Sequence, residues 1–467
     1  MDHPAPYPAL PPHLLFGTAT AAYQIEGGAN EGGRGPSIWD TYCRTPGRVA
    51  RGETGDVACD HYHRYEEDVA LLAALGVDLY RFSVAWPRVQ PTGAGRPNAE
   101  GLDFYDRLVD TVLAAGVEPA LTLYHWDLPQ ALEDAGGWRV RDTAHRFAEY
   151  ARIVADRLGD RVSRWITLNE PFCTAFVGHA VGRHAPGTRE GTPALAAAHH
   201  LLLAHGLAVG ELRAAGAGEV GITLNPDHLV PATGSAADLA AVERARTLHN
   251  RVWLDPLFAG AYPDNEREVW GDLVDDSLRR DGDLAVIGQE LDFLGVNYYR
   301  PIKLRDAPHT EPDPAARTAV DIGTEQVAYE DVRHTTMGWP VVPETFTEML
   351  VDLDRRYPGL PPVYITENGS AEEDLPDASG RVRDTDRIAY LNDHLTALAA
   401  AVEAGVDVRG YFVWSLLDNF EWAYGYERRF GLVRVDYEKL TRHPKDSYHW
   451  YRGLIADHRA RRAGAGD

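Results

Sequence analysis

The stretch Val363-Tyr364-Ile365-Thr366-Glu367-Asn368-Gly369 begins as an apolar, β-branched run and ends in a carboxylate, an amide and a glycine. This pattern predicts a buried strand up to Thr366, a turn at Gly369, and Glu367 at the carboxyl end of the strand. A second stretch, Arg164-Trp165-Ile166-Thr167-Leu168-Asn169-Glu170-Pro171, has the same form and places Glu170 at the end of another strand. In parallel α/β folds the loops at these ends face a common cleft, where catalytic residues lie.

Two glutamates at the carboxyl ends of two strands are the groups that glycoside cleavage requires. One protonates the leaving oxygen, and the other attacks or assists at the anomeric carbon. Either glutamate alone is equally well explained as a solvated loop residue, since most glutamates are exposed. The pair, taken with the polar residues at the other strand ends, favours catalysis, with Glu170 and Glu367 as the candidate catalytic residues.

Short apolar runs alternate with longer amphipathic stretches along the chain. Eight predicted strands, each followed by helical sequence, indicate an α/β fold, a single (β/α)8 TIM barrel with long βα loops around an active-site cleft. We expect one domain over 1–467, with its core at about 14–456 and flexible ends at 1–10 and 459–467. The predicted strands are 14–17, 78–84, 118–124, 165–168, 219–224, 293–296, 363–366 and 408–414, and the clearest helices are 62–75, 104–115, 143–158, 195–215, 237–251, 344–356 and 385–404. The polar segment 300–343 is expected to be a functional loop over the cleft.

Composition narrows the possible partners. The 467 residues carry 46 basic and 70 acidic side chains, and this net charge of −24 argues against nucleic acid or an anionic membrane and fits a neutral small-molecule substrate. Three widely spaced cysteines indicate neither a disulfide framework nor a CxxC zinc site. The polar, proline-rich start and the lack of an obvious run of 18 apolar residues predict no signal peptide, no membrane span and a cytoplasmic protein. No cofactor or metal is implied, and the oligomeric state stays open.

The other predicted strand ends carry amides, a histidine, carboxylates, aromatic rings and one arginine. A buried arginine requires a carboxylate partner, and Glu367 is the candidate partner of Arg81. Aromatic faces stack on sugar C–H surfaces, while amides, histidine and carboxylates hydrogen-bond hydroxyl groups. This mixture predicts a carbohydrate pocket better than a phosphate or cofactor site. The residues at these ends are Gln24, Arg81, His125, Trp126, Asn297, Tyr299, Trp414, Glu421 and Trp422.

Eight segments, in order along the chain, carry a more specific signal. They are FGTATAAYQIEG at 16–27, ACDHYHRYEEDV at 58–69, YRFSVAWPR at 80–88, LYHWDLPQAL at 123–132, TLNEP at 167–171, NYY at 297–299, ITENG at 365–369 and WSLLDNFEW at 414–422. This set resembles glycoside hydrolase family 1, the β-glucosidase family, over nearly the whole chain. The resemblance implies a retaining mechanism, with two carboxyl groups roughly 5–5.5 Å apart and no cofactor.

The resemblance also implies a role for each candidate residue. Glu170 corresponds to the acid/base and Glu367 to the nucleophile, which Arg81 and Tyr299 orient. Asn169 corresponds to the residue that binds the sugar 2-hydroxyl. The remaining substrate-binding residues are Gln24, His125, Glu421 and Trp422 as a hydroxyl clamp, Trp414 as a stacking floor, Phe430 at the hydroxymethyl end, Trp339 as a platform for the leaving group, and Trp126 and Asn297, which packing alone would also explain.

The expected substrate is an unphosphorylated β-glucoside, such as a cello-oligosaccharide or an aryl or alkyl glucoside. Glu421 would repel a sugar phosphate, and it can accept from either hydroxyl epimer, so β-galactosides and β-fucosides are also expected. Phe172 and His179 stand where the family usually has tryptophan and often has tyrosine, which leaves the leaving-group preference open. Two alternatives remain: a family member that mainly transfers the glycosyl unit, and a catalytically silent sugar-binding protein.

Overall fold

A closed barrel of parallel strands dominates the computed structural model, which describes residues 7–309 and 316–464. The strands are β1 (Leu15–Ala19), β2 (Leu79–Ser83), β3 (Glu118–Tyr124), β4 (Arg164–Asn169), β5 (Glu219–Leu224), β6 (His228–Pro231), β7 (Phe293–Asn297), β8 (Pro301–Asp306), β9 (Thr324–Val327), β10 (Val363–Asn368), β11 (Val408–Trp414), β12 (Val433–Asp436) and β13 (Thr441–Pro444). The order around the barrel is β1-β11-β10-β7-β5-β4-β3-β2, so the barrel closes between β1 and β2. The predicted (β/α)8 barrel is confirmed, and each of its strands lies within two residues of the predicted bounds.

Helices follow the barrel strands and form the outer layer. They are α1 (Ala22–Ile25), α2 (Ile38–Arg44), α3 (His61–Leu75), α4 (Trp86–Val89), α5 (Ala99–Ala114), α6 (Gln130–Asp134), α7 (Asp142–Leu158), α8 (Thr192–Ala214), α9 (Ala236–Arg246), α10 (Val252–Leu254), α11 (Glu266–Trp270), α12 (Asp283–Ile287), α13 (Glu344–Arg356), α14 (Thr385–Glu403) and α15 (Asp446–Gly464). Their apolar faces cover the barrel, as in α7, where Tyr150 is buried and its hydroxyl donates to the carbonyls of Val84 and Leu123 at 3.1 and 2.9 Å. This covering layer explains why barrel strands read as continuous apolar runs.

The barrel strands change register near their carboxyl ends. β10 and β7 shift between Ile365 and Glu367, which brings Glu367 opposite Asn297. β4 and β5 shift between Ile166 and Asn169, which brings Asn169 opposite Thr223. Such irregularities re-aim side chains, and here they gather polar groups at the same end of the barrel.

The segment 300–343, expected to be one long loop, contains strands instead. β8 pairs in parallel with β6 and antiparallel with β9, so the three strands form a small sheet outside the barrel. A short polar strand has little signal of its own, because its formation depends on partner strands elsewhere in the chain. The segment does border the cleft, through Ile302, Leu304 and Trp339, and residues 310–315 lie outside the described part.

The sequence was expected to contain no apolar run of 18 residues, but helix α8 is long and apolar enough to cross a membrane by length and composition. Its most apolar 18-residue window has a mean hydropathy of 1.2, yet 78% of that window is buried within the protein, where the helix packs on α7. A core helix therefore accounts for the apolar sequence. Cys43, Cys59 and Cys173 are free thiols.

The chain ends were expected to be flexible at 1–10 and 459–467, and residues 1–6 and 465–467 lie outside the described part. Tyr7 packs on Trp450 with ring centroids 5.8 Å apart, and residues 459–464 continue α15. Mobility of the ends stays a prediction, as does the organisation of 1–467 as one domain.

Candidate active site

A cavity of about 480 Å³ opens at the carboxyl ends of the barrel strands. Most of the residues proposed from sequence line it: His125, Trp126, Glu170, Asn297, Tyr299, Trp339, Glu367, Trp414, Glu421, Trp422 and Phe430. Arg81 and Asn169 are fully buried and hydrogen-bond the lining residues Glu367 and His125. Gln24 is also fully buried, and its amide donates to the carbonyl of Phe420, the residue before Glu421. The barrel thus brings together side chains that are up to 406 positions apart in the sequence, from Gln24 to Phe430.

A second cavity, of about 410 Å³, lies on the flank of the protein beside α13. Its carboxylates are exposed or partly exposed: Glu348 lies 3.0 Å from His228, and Asp352 accepts from Arg356 at 2.6 Å. Exposed pairs of this kind interact weakly. The barrel cavity, with its buried carboxyl groups, is therefore the candidate active site.

Glu367, on β10, is held at both oxygens. Arg81 Nη1 donates to Oε1 at 2.6 Å, and the Tyr299 hydroxyl donates to Oε2 at 2.7 Å. Arg81 is itself fixed by Thr122, which accepts from its Nε at 3.2 Å. The arginine expected from sequence to need a carboxylate partner therefore pairs with Glu367, and the arrangement stabilises a negative charge there.

Glu170 has a different environment. Asn297 Nδ2 donates to its Oε1 at 2.6 Å, and the thiol of Cys173 donates to its Oε2 at 3.1 Å. Burial, and next the negative charge of Glu367, raise the pKa of Glu170 to about 7, although Asn297, Cys173 and Arg81 oppose this rise. Its backbone has a φ of +43°, a conformation that non-glycine residues rarely adopt and that is concentrated at functional sites.

Two amides connect the two carboxyl groups. Asn169 Oδ1 accepts from Arg81 Nη2 at 2.6 Å and from Asn297 Nδ2 at 3.1 Å. The Thr366 hydroxyl donates to Asn297 Oδ1 at 2.7 Å, so the amide nitrogen of Asn297 faces Glu170. A continuous chain of hydrogen bonds therefore runs from Glu170 through Asn297, Asn169 and Arg81 to Glu367.

Three of the buried polar atoms that have no partner within the described part of the chain lie at this cavity: Gln24 Oε1, His125 Nδ1 and Glu421 Oε2. Buried polar atoms nearly always have a hydrogen-bond partner, so three atoms without a partner beside one cavity indicate where hydroxyl groups of a bound molecule fit. Burial, followed by the charges of Glu367 and Glu170, raises the pKa of Glu421 to about 8, and the Gln24 amide opposes it. Burial, and then Arg81, hold the pKa of His125 well below its usual value, so His125 is neutral.

Aromatic rings form the apolar walls. The His125 ring is nearly parallel to the rings of both Trp414 and Trp422, with centroids 5.9 and 6.0 Å away. A second group of rings also lines the cavity, where Trp339 lies 5.2 Å from Tyr299 and 6.0 Å from Phe430. A pocket with flat apolar faces and a few convergent polar atoms suits a sugar ring.

The region beyond Glu170 agrees only partly with the sequence reasoning. Phe172 lines the cavity and stacks on His249, with centroids 4.9 Å apart. His179, expected on the same side, is instead fully buried against Thr188 and Glu190 and is not part of the lining. Its place in the sequence lies within the π-helical stretch Cys173–Val181, whose extra residues per turn change which side chains face inward.

Sequence reasoning missed several cavity residues. Cys173 could have been found, because it lies three positions after Glu170 at the start of a helical stretch. Arg183, His249 and Arg300 have no such signal, since they come from separate parts of the chain: Arg183 and Arg300 from loops and His249 from the π-helical stretch Thr247–Arg251. Among residues 7–309 and 316–464, no group of three or more His, Cys, Asp or Glu side chains could hold a metal ion.

The chain is similar over nearly its whole length to known proteins. The chain is 49% identical over 462 residues to the bifunctional beta-D-glucosidase/beta-D-fucosidase of Bifidobacterium breve, which covers 97% of this chain and 99% of the relative. It superposes with a TM-score of 0.92 and 48% identity on the psychrophilic beta-glucosidase BglU of Micrococcus antarcticus, covering 96% of this chain and 98% of that one. The family 1 β-glucosidase of Thermotoga maritima in complex with isofagomine lactam gives a TM-score of 0.91 at 44% identity, covering 97% and 100%. The model of glycosyl hydrolase family 1 matches residues 7–460, so the chain belongs to that family.

Proposed function

We propose that the protein is a retaining β-glucosidase that removes terminal, non-reducing β-D-glucosyl residues from small glucosides through a covalent glycosyl-enzyme intermediate. The observation that carries this proposal is the difference between the two buried carboxyl groups. Glu170 has a pKa raised to about 7, whereas Glu367 receives hydrogen bonds from Arg81 and Tyr299. Two carboxyl groups in such different environments can act as acid and nucleophile in one reaction.

In the first step, an oxygen of Glu367 attacks the anomeric carbon while Glu170 gives its proton to the glycosidic oxygen. The C–O bond to the leaving group breaks, the leaving group departs as an alcohol, and an α-linked glycosyl ester forms on Glu367. Glu170 is largely protonated at pH 6, because its pKa is raised to about 7. Asn297 and Cys173 hold the carboxyl group in place.

In the second step, Glu170 acts as a base. Formation of the ester removes the negative charge of Glu367, which is one cause of the raised pKa of Glu170. Glu170, now ionised, takes a proton from water, and the water oxygen attacks the anomeric carbon from the face that the leaving group vacated. The ester bond breaks, Glu367 regains its charge, and β-glucose leaves.

Sugar binding is proposed to use the buried polar atoms at the cavity that have no hydrogen-bond partner in the protein. Glu421 and His125 line the cavity, and the Gln24 amide donates to the carbonyl of Phe420, the residue before Glu421. Glu421 carries a proton below pH about 8, so it can both donate to and accept from hydroxyl groups, which suits the glucosyl epimer and also galactosyl or fucosyl residues. Asn169 Nδ2 has one partner in the described part, His125, so its second N–H can donate to the sugar 2-hydroxyl.

A proton NMR time course with 4-nitrophenyl β-D-glucopyranoside tests the proposal. Retention predicts that β-glucose is released first and mutarotates later. Release of α-glucose first would mean that Glu367 is not the nucleophile. Glucose binding without release of product would favour a catalytically silent sugar-binding protein, and a second sugar added to the mixture would reveal a transferase by its transfer products.

A further inference from the structure

Two arginines, Arg183 and Arg300, line the cavity in addition to the residues proposed to bind the sugar hydroxyl groups. Arg183 follows the π-helical stretch that carries Cys173, and Arg300 follows Tyr299 after β7. Arg300 lies over the face of Trp339, with Cζ 5.8 Å from the ring centroid. Two cations are therefore present in the cavity of a protein whose net charge is −24, and one of them lies beside Trp339, the proposed platform for the leaving group.

Neither guanidinium is neutralised by a carboxylate within 4 Å in the described part of the chain, although 31 other arginines are. The side chain of Arg300 makes one weak hydrogen bond, to the carbonyl of Pro301 at 3.4 Å. Burial is the main cause that lowers the pKa of Arg300, and Arg183 adds to it, whereas Asp227 acts in the opposite direction. The charge of Arg300 is thus poorly compensated where it stands.

Asp227 is the nearest candidate to neutralise these arginines, but it is bound elsewhere. His249 Nδ1 lies 2.7 Å from Asp227 Oδ2, and Asn250 accepts from the Asp227 backbone N–H at 2.9 Å and donates to its carbonyl at 2.9 Å. The His249 ring in turn stacks on Phe172. Asp227 therefore positions an aromatic wall of the leaving-group region instead of pairing with Arg183 or Arg300.

We propose that this region recognises leaving groups that carry an anionic substituent, with an aryl carboxylate as the matching chemistry. The inference rests on the proposed function, because it specifies the substrate class for the same site. Phe172 and Trp339 supply the apolar faces for an aryl ring, and Arg300 and Arg183 supply donors for its carboxylate. A guanidinium–carboxylate hydrogen bond is charge-assisted, and its strength increases where water is partly excluded.

Two substrates that differ in one charge test this inference: 4-carboxyphenyl and 4-carbamoylphenyl β-D-glucopyranoside. The measured quantity is the ratio of kcat/KM for the carboxylate to kcat/KM for the carboxamide. Because both substrates are assayed on the same preparation, the ratio is independent of the fraction of folded enzyme. Intrinsic leaving-group differences cancel when the ratio is compared between variants.

The ratio should fall about tenfold in Arg300→Gln, because a charge-assisted bond at a partly buried position is strong. It should fall about threefold in Arg183→Gln, because Arg183 is exposed and its bond is weaker. Arg300→Lys should lose less than Arg300→Gln. Arg107→Gln removes the same charge from an exposed position on α5 and should leave the ratio unchanged. Added salt should lower the wild-type ratio.

A ratio that changes less than twofold in both cavity variants, or that changes equally in Arg107→Gln, would overturn the inference while leaving the glucosidase proposal intact. Failure to hydrolyse any glucoside would instead count against the proposed function. In that case the same ratio is taken from dissociation constants of the two glucosides, read by quenching of tryptophan fluorescence. Preferential binding of the carboxylate that is lost in Arg300→Gln would still support the anionic subsite, and equal binding would refute it.

Discussion

The thiol of Cys173 donates a hydrogen bond to Oε2 of Glu170 at 3.1 Å. With Asn297 bonded to the other oxygen, both oxygens of the proposed acid have a donor. These donors stabilise the ionised carboxylate, whereas burial and Glu367 favour the protonated form and raise the pKa of Glu170 to about 7. The pKa of Glu170 therefore reflects a balance between these opposing effects, and a substitution at position 173 changes that pKa.

Cys173→Ala should raise the pKa of Glu170, because it removes a donor to the ionised form. The loss of kcat/KM at alkaline pH follows deprotonation of the acid, so this limb should move to higher pH, with the ratio of rates at pH 8 and pH 6 rising about twofold. Cys173→Ser keeps a donor and should restore the wild-type profile. An alkaline limb that stays in place or moves to lower pH in Cys173→Ala would contradict the proposed balance.

Glu170→Ala should impair substrates with poor leaving groups far more than activated aryl glucosides. Alkyl glucosides need a proton on the departing oxygen, and loss of a general acid costs about 10²–10⁴-fold. A 2,4-dinitrophenyl glucoside needs no such proton in the first step. Comparison of kcat/KM for the two substrates measures the difference, and equal losses on both would remove Glu170 from the role of acid.

Glu367→Gly should abolish hydrolysis and leave space on the face that the carboxylate occupied. Azide added with an activated β-glucoside should then yield an α-glucosyl azide, because the small anion attacks from that vacated face. NMR of the product gives the anomeric configuration. A β-azide would place the nucleophile elsewhere.

The barrel could be predicted from sequence because its strands are local signals. β10 and β4 are apolar and β-branched up to a polar end, and burial on both faces makes each of them readable without knowledge of its neighbours. β8 and β9 could not be predicted, since their polar sequences become strands only through pairing with each other and with β6.

In the site as well, residues with a local sequence signal could be predicted, and residues placed by the tertiary structure could not. Glu170 and Glu367 were identified as strand-end residues, and the pairing of Arg81 with Glu367 followed from the cost of burying an unpaired charge. The contact of Cys173 with Glu170 has a local signal, because Cys173 lies three positions after Glu170 at the start of a helical stretch. Arg300 reaches the cleft through the three-dimensional course of its loop, which leaves no periodic pattern in the sequence.

Thr366→Val should reduce kcat/KM about tenfold for alkyl glucosides although Thr366 does not line the cavity. Its hydroxyl donates to Asn297 Oδ1 at 2.7 Å and accepts from Thr223 at 3.2 Å, and this orients the Asn297 amide toward Glu170. Thr366→Ser retains the hydroxyl and should recover most of the activity. The alkaline limb of the pH profile should also move upward in the valine variant, because Asn297 would donate less well to Glu170. Equal losses in the serine and valine variants would indicate a packing role instead.

Asp127→Asn should stabilise the protein at neutral and alkaline pH. Asp127 is fully buried, its two oxygens have no partner in the described part of the chain, and burial is the main cause that raises its pKa from 3.8 to about 8. Because the folded-state pKa lies above the unfolded value, the stability that the protonated form provides is complete below pH 3.8 and is lost as the pH rises toward about 8. Asparagine cannot ionise, so the gain in melting temperature should grow from pH 4 to pH 8 and then level off, reaching on the order of 1 kcal/mol of unfolding free energy.

Differential scanning calorimetry across this pH range measures that gain. Asp354→Asn makes the same change of charge at an exposed position of α13 and should show little dependence on pH. A melting-temperature difference for Asp127→Asn that is constant from pH 4 to pH 9 would mean that the Asp127 carboxyl ionises in the folded protein as readily as in the unfolded chain. A buried carboxylate without hydrogen-bond donors carries a large desolvation cost, and a difference that increases with pH is the direct measure of that cost.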